Sequence, residues 1–365
     1  MGDAHRIGVV GLGVISRAYL DTLVGRDAVR VTAVADLDAS RSAAVAAELP
    51  GVRALSVEEL LNSPDVETVL NLTVPAAHAE IALGAVARGK NVYGEKPLAA
   101  ELADAQAVLE AAAKASVRVG CAPDTVLGTG VQTARAAVEA GAIGRPLFAS
   151  AVMITPGHER WHPQPDFYYA PGGGPLLDMG PYYLTSLVHL LGPVRAVIGA
   201  SSRLRSERVI GSGPRAGERI PVEVDSHVSG VLEHAGGALT TLTTSFDGVG
   251  TTAAPIEVHG ETGTLTLPDP NHFDGEVRLL ELGGSERHTL PPSAGYVGGA
   301  RGIGLLDFVA ADGGRPARAS GELALHVLET MTALLRSSAE GRRIELSTSV
   351  EPPAPVPLTP QEQWR

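Results

Sequence analysis

The chain is short of cysteine, lysine, aromatic residues and positive charge. Its one cysteine in 365 residues is Cys121, which excludes an intrachain disulfide and fits a reducing compartment. Lysine occurs only as Lys90, Lys96 and Lys114, so every other strong base is arginine. Asp and Glu outnumber Lys and Arg, 41 to 29, for a net charge of −12. That balance argues against nucleic acid or an anionic membrane as a partner. Aromatics are only 4% of residues, so cores must be built mostly from Ala, Val and Leu. No apolar run reaches the ~20 residues that cross a bilayer, and no secretion-leader pattern opens the chain. The opening Met-Gly also lacks the later Ser or Thr of a myristoylation signal, since Arg6 stands there. A soluble, cytoplasmic protein is expected.

Hydrophobic residues make up 44% of the chain and mean hydropathy is +0.11, enough for real cores. The length allows two domains. Arg6 to Val10 (RIGVV) reads as a buried strand, and Gly11-Leu12-Gly13-Val14-Ile15-Ser16 then opens a helical pattern running to Val24. This is a dinucleotide fingerprint with Ser16 in place of the third glycine. The first glycine makes a tight turn, the second lets backbone approach a pyrophosphate, and the helix N-terminus offers unpaired N–H groups to that anion. A second strand, Val29 to Ala35, ends at Asp36, the spacing at which a carboxylate binds the ribose 2′-hydroxyl. Asp36 favours NAD, while nearby Arg41 leaves NADP open. Asp38 is the more natural cap for the helix starting near Ala39.

Strand and helix patterns continue to alternate through Cys121. Strands are expected at Glu67 to Leu72, Asn91 to Tyr93 and Val117 to Cys121, and helices at Ser56 to Leu61, Ala76 to Arg88 and Glu101 to Ala115. This predicts a Rossmann-type, doubly wound parallel sheet over residues 1–124. Ligands sit beyond the carboxyl ends of such strands. Gly11, Gly13, Val14, Ile15, Ser16, Asp36, Leu72, Thr73, Pro75, Glu95 and Lys96 fall there and are expected to line the cofactor. His78, early in its helix, is placed among cofactor contacts, with a packed or capping role as its alternative; Asp124 is placed among substrate contacts. Lys96 stands in Glu95-Lys96-Pro97. An ammonium can share a proton where a guanidinium cannot, and the proline forces Lys96 into an extended backbone.

From 125 to 351 strands dominate: Leu147 to Ile154, Arg195 to Leu204, Val224 to Glu233, Ala238 to Phe246, Ile256 to His259, Gly263 to Leu267 and Val277 to Leu282. An α+β domain with a large, mostly antiparallel open-faced sheet is expected, one face on helices and the other covered by a second subunit. Helices are expected at Thr129 to Ala140, near Ile303 to Ala311 and over Gly321 to Ser338, with a proline-rich tail over 352–365 that reads as extended from Pro352 to Pro360. Inside this domain Gly172-Gly173-Gly174 precedes Pro175-Leu176-Leu177-Asp178-Met179-Gly180-Pro181-Tyr182. The glycines permit a close backbone approach, expected to be to a ligand or cofactor. Asp178 and Tyr182, four apart, share a helix face; the alternative is a capping Asp178 and a core Tyr182. The segment Gly157 to Pro163 mixes rings and polar groups, and Trp161 and His162 are assigned to the substrate pocket. His189 is read as a buried structural histidine. No metal is expected, because no second cluster with ligand spacing accompanies these histidines.

Together the glycine turn, Glu95-Lys96-Pro97 and Gly-Gly-Gly-x-Leu-Leu-Asp-Met-Gly-x-Tyr resemble the Gfo/Idh/MocA oxidoreductase family, which includes glucose–fructose oxidoreductase and inositol dehydrogenase. The resemblance runs from the first strand to about Arg342. It implies hydride transfer between a nicotinamide and a sugar-like alcohol or ketone, and a C-terminal sheet used in homodimers or homotetramers. The family's catalytic lysine matches Lys96 and its substrate-binding aspartate matches Asp178. Where inositol dehydrogenase-like members carry a catalytic histidine, this chain has Tyr182, as glucose–fructose oxidoreductase does. Lys96, Tyr182 and Asp178 are thus the expected catalytic set. Tyr182 would exchange the hydroxyl proton, helped by an ammonium that stabilises phenolate. Two other classes share the fold: a glycosidase using tightly held NAD in a transient redox cycle, and a non-catalytic sugar or NAD sensor.

Overall fold

The structure is a computed structural model that describes residues 4–311 and 316–364. The chain divides into two compact units: residues 1–127 with 298–325 and 360–365, and residues 128–297 with 326–359. Among the described residues no helix is long and apolar enough to cross a membrane.

The first unit alternates β1 (His5–Val10), α1 (Val14–Leu23), β2 (Val29–Ala35), α2 (Ala39–Glu48), β3 (Arg53–Ala54), α3 (Val57–Asn62), β4 (Thr68–Asn71), α4 (Pro75–Val86), β5 (Asn91–Gly94), α5 (Leu102–Ala115) and β6 (Val119–Cys121). The six strands form one sheet in the order β3-β2-β1-β4-β5-β6, and every pairing is parallel. The order reverses at β1, so β1, β2 and β4 present their carboxyl ends at a topological switch point, where open α/β sheets bind ligands. Local chemistry sets the helix starts. Asp38 caps α2 through Ser40 N–H, Ser56 and Glu59 form a capping box on α3, and Pro75 occupies the first turn of α4. The core gathers Ile7, Val9, Val34, Leu70 and Tyr93 with Leu305, Phe308 and Ala319, so the later segment supplies apolar contacts to the same core.

The second unit opens with α6 (Thr129–Glu139), β7 (Pro146–Ile154), α7 (Pro175–Leu191) and β8 (Val194–Ser202). The pair β9 (Glu207–Val209) and β10 (Arg219–Pro221) follows. The remaining strands are β11 (His227–His234), β12 (Leu239–Ser245), β13 (Ile256–Gly260), β14 (Gly263–Leu267), β15 (Val277–Glu281), β16 (His288–Leu290) and β17 (Ile344–Glu345). Nine of them make one sheet in the order β16-β15-β14-β13-β7-β12-β11-β8-β17. Only β7 with β12 is parallel; the other pairings are antiparallel. Along β12, Thr240, Leu242 and Thr244 are buried while Leu239 and Thr241 are exposed. Helix α7 packs on this sheet, and large apolar side chains at Phe148, Ile198 and Leu239 remain exposed.

Two histidines in this unit couple its stability to pH. Burial pushes the His234 imidazole down to about 4, although Nδ1 meets the Gly192 carbonyl at 2.8 Å and Nε2 meets Thr240 Oγ1 at 2.9 Å. His326 is lowered for the same reason, and its Nε2 accepts from Val194 N–H at 3.0 Å. Below its ordinary value an unfolded histidine takes up a proton that the folded one refuses. Stability is therefore full above ~6.5 and falls as the pH drops toward the folded value. Urea unfolding at pH 7 and near pH 4.5 should show the His234→Gln variant losing less stability over that interval than the wild type, by on the order of 2 kcal/mol. Parallel losses in the two proteins would remove His234 from this account.

Candidate active site

At the end of β1 the chain turns through Gly11 at φ +91°. A Cβ there would lie 2.7 Å from the carbonyl of Leu72 and the nitrogen of Thr73, so glycine is required on both steric and conformational grounds. Gly13 differs: nothing lies within 4 Å of where its Cβ would point, leaving the start of α1 open. Ser16, at the third fingerprint position, is buried and its hydroxyl donates to Gly13 O at 2.7 Å. Asp36 ties the turn to β2, accepting from Leu12 N–H at 2.7 Å and Asp38 N–H at 2.9 Å. Asp38, not Asp36, caps α2. Arg41 lies 3.9 Å from Asp36 and 3.6 Å from Asp38.

Ile15 packs against the core while staying partly exposed, and Leu72 is buried, so a contact from Leu72 to a ligand falls to its backbone. Thr73 is half-buried, with its hydroxyl donating to Asn71 Oδ1 at 2.7 Å. His78 has a task other than the expected cofactor contact. It is 2% exposed, with Nδ1 2.6 Å from Pro97 O and Nε2 3.0 Å from Thr73 O. The ring thus lies between the carbonyls of the loops after β4 and β5, with one nitrogen donating at a time. Glu95 is equally committed, its carboxylate accepting from Tyr19 hydroxyl at 2.7 Å and Lys96 N–H at 3.1 Å. Lys96 is half-buried beside it, and the Lys96–Pro97 bond is cis. Asp124, placed among substrate contacts by sequence, is fully buried. It accepts from Gly302 and Gly304 N–H at 2.7 and 3.2 Å and lies 3.6 Å from Arg301. Burial raises its carboxyl above the usual range, against the pull of Arg301.

In the second unit, Gly174 precedes α7 and Asp178 lies in its first turn, so Asp178 is not the cap. The close approach made by the triple glycine is to its own chain. A Cβ on Gly173 would sit 2.4 Å from Phe167 O, and Gly174 N–H donates to Tyr168 O at 2.7 Å. Asp178 Oδ2 lies 2.9 Å from His158 Nε2. Tyr182, one turn further along α7, is mostly buried. Trp161 is 59% exposed and His162 half-buried. His158 meets the rings of Trp161 and Tyr168, and His162 those of Trp161, Phe167 and Tyr168. His189 is buried, with Nδ1 3.3 Å from both Gln132 Nε2 and Arg135 Nη1. Among the described residues, no group of three His, Cys, Asp or Glu side chains could hold a metal ion.

Sequence reasoning flagged the 157–163 segment but not His158 itself, nor the buried network that anchors it. Neighbouring Glu159 accepts from Tyr169 hydroxyl and from Arg208 at 3.4 Å, and Arg208 also binds Asp247. The available signal was an acid and a histidine side by side in an otherwise aromatic stretch.

Comparison with known proteins joins these observations. Residues 5–122 match the family model described as "Oxidoreductase family, NAD-binding Rossmann fold", and residues 131–266 match "GFO/IDH/MocA C-terminal domain". The chain belongs to the GFO/IDH/MocA oxidoreductase family. Among relatives of this family member is a 1,5-anhydro-D-fructose reductase of Ensifer adhaerens, 29% identical over 355 residues, covering 95% of this chain and all of the relative. A myo-inositol 2-dehydrogenase of Thermotoga maritima is 28% identical over 262 residues, 71% of this chain and 74% of the relative. A crystal structure of an NAD binding oxidoreductase from Klebsiella pneumoniae shares the fold at TM-score 0.81 and 24% identity, over 95% of this chain and all of that one.

The first unit of this oxidoreductase fits the NAD its family binds. Gly13 and Val14 border a cleft of ≈ 750 Å³ that runs between α1 and α2, past Arg17, Val24, Val45 and Leu49. Val14, Leu37 and Val74, following β1, β2 and β4, are 97%, 100% and 67% exposed. Apolar side chains left in water at three adjacent strand ends suit the flat faces of a dinucleotide.

Proposed function

We propose that this enzyme transfers hydride between a nicotinamide and a secondary alcohol or ketone of a sugar, sugar derivative or polyol. The observation that carries the reading is its similarity, along 95% of the chain, to a reductase of a 1,5-anhydro sugar. The presence of Lys96, Asp178 and Tyr182 at the positions marked by the family resemblance supports it. Bound NAD supplies the hydride acceptor, and NADH the donor. Lys96 is the hydrogen-bond donor to the substrate oxygen, Tyr182 exchanges the hydroxyl proton, and Asp178 orients the sugar. Such general acid–base help contributes ~10²–10⁴ in rate. Trp161, exposed beside His162, is the apolar platform for a sugar ring. Gly11, Gly13 and Ser16, with the backbone at Val14 and Ile15, hold the pyrophosphate. Asp36 is the ribose acceptor, which makes NAD the better cofactor. Leu72, Thr73 and Pro75 line the opposite side of the cradle, and Glu95 fixes the Lys96 loop.

The exposed sheet face bearing Phe148, Ile198 and Leu239 is the proposed contact with a second copy, making a homodimer or homotetramer whose mass sedimentation velocity reads directly. The function is tested by NADH fluorescence against aldoses, inositols, 1,5-anhydro sugars and glycosides with NAD and NADP. Turnover of a free sugar or polyol, faster with NAD, is expected. Hydrolysis of a nitrophenyl glycoside without net cofactor change would overturn the reading.

A further inference from the structure

We infer that His158 is the positioning residue for Asp178, a role resting on the oxidoreductase reading above. An ionised carboxylate only accepts hydrogen bonds, so the 2.9 Å contact has His158 Nε2–H donating to Asp178 Oδ2. Both side chains are largely withdrawn from water, at 12% and 17% exposure. The carboxylate torsion of an aspartate is broad and roughly two-fold. A donor of fixed direction at one oxygen removes that freedom and sets the plane in which Asp178 meets a substrate hydroxyl.

His158 is itself held on several sides. Its ring meets Trp161 at 5.3 Å, Tyr168 at 4.6 Å and Phe246 at 4.6 Å between centroids. The next residue, Glu159, is locked by Tyr169 and by Arg208, and its carbonyl accepts from Gly211 N–H at 2.7 Å. Burial raises the Tyr169 phenol, so it stays a hydrogen-bond donor to Glu159. The imidazole is therefore fixed before any substrate arrives, and fixed geometry at a group that orients a reactant is what speeds the chemical step.

The test compares His158→Asn with His158→Gln. Glutamine can bring an amide N–H close to the Nε2 position, whereas asparagine is one methylene short. Both are polar and comparable in burial cost. On the best substrate from the panel, His158→Asn should lower kcat roughly 100-fold with NADH affinity unchanged, and His158→Gln should regain at least about tenfold of that loss. If the asparagine variant does not fold, His158→Leu takes its place against glutamine. A purely structural histidine predicts equal losses in both variants, together with a lower Tm. That pattern, or a kcat within about twofold of wild type for His158→Asn, overturns the inference while leaving the enzyme's function intact. A wild type that turns over no panel member with NAD or NADP overturns the functional reading, and this role with it.

Discussion

Replacing Lys96 by methionine is expected to lower kcat by ~10²–10⁴ while NADH still binds. The loop has anchors besides the ammonium. Glu95 is held by the Tyr19 hydroxyl and by the backbone N–H of Lys96, and the next carbonyl, Pro97 O, is held by His78. Those contacts survive in the variant, and methionine keeps an unbranched chain of similar reach. Arginine should not rescue activity, since a planar guanidinium neither gives up its proton nor fits a point-charge site. Steady-state kinetics, with Tm as a control for folding, decide the matter. A Lys96→Met enzyme turning over near the wild-type rate would remove Lys96 from the chemistry.

The Arg208→Met variant is expected to lose about 3–5 kcal/mol of stability. Arg208 is 2% exposed and binds both Glu159 and Asp247, with its guanidinium 5.3 Å from the Tyr169 ring centre. Removing it leaves the buried Glu159 side chain with the Tyr169 hydroxyl as its remaining side-chain partner among the described residues. Asp247 is less affected, because Ser226 donates to its other oxygen at 2.6 Å. Most of the cost should therefore trace to Glu159. Adding Glu159→Gln to the arginine variant should recover a measurable part of the loss, since coupled neighbours are not additive. Urea titration reads both quantities. A loss below about 1 kcal/mol, the range of exposed ion pairs, would show that water reaches the network.

The fold was legible where local chemistry and long-range packing agree. The strands of the first unit are continuous apolar runs bounded by Gly, Asp or Pro, and Asp38, Ser56 and Pro75 mark helix starts by mechanisms confined to one turn. Strand β3 leaves no mark in the sequence, because Arg53 and Ala54 are both exposed and carry no pattern. Strands β9, β10, β16 and β17, two or three residues each, are too short for alternation to register. The helix starting at Ile303 was expected, but not that Leu305 and Phe308 pack with Val9 and Tyr93. Nor does a sequence say which backbone a glycine meets. In sequence Gly173 suits close approach by a ligand; in the fold it makes room for Phe167. His158 escaped notice because its partner lies 20 residues away, outside any helical or strand period. Asp124 and His78 were placed by position beside strand ends, where sequence gives no sign of whether a side chain turns inward.

The turn of chain at Arg301 to Gly304 carries a consequence for how this protein comes off the ribosome. Asp124 is buried on the N–H groups of Gly302 and Gly304, and Phe308 lies edge-on to Tyr93 at 5.8 Å. A nascent polypeptide holding only its first 127 residues would have six strands' worth of sequence but a buried acid without donors and an uncovered tyrosine. Vectorial folding, in which an amino-terminal domain matures during synthesis, is thereby postponed: the nucleotide-binding half cannot close until residues beyond 304 have emerged. A fragment ending at Leu127 would be a client for chaperones, not a small stable domain.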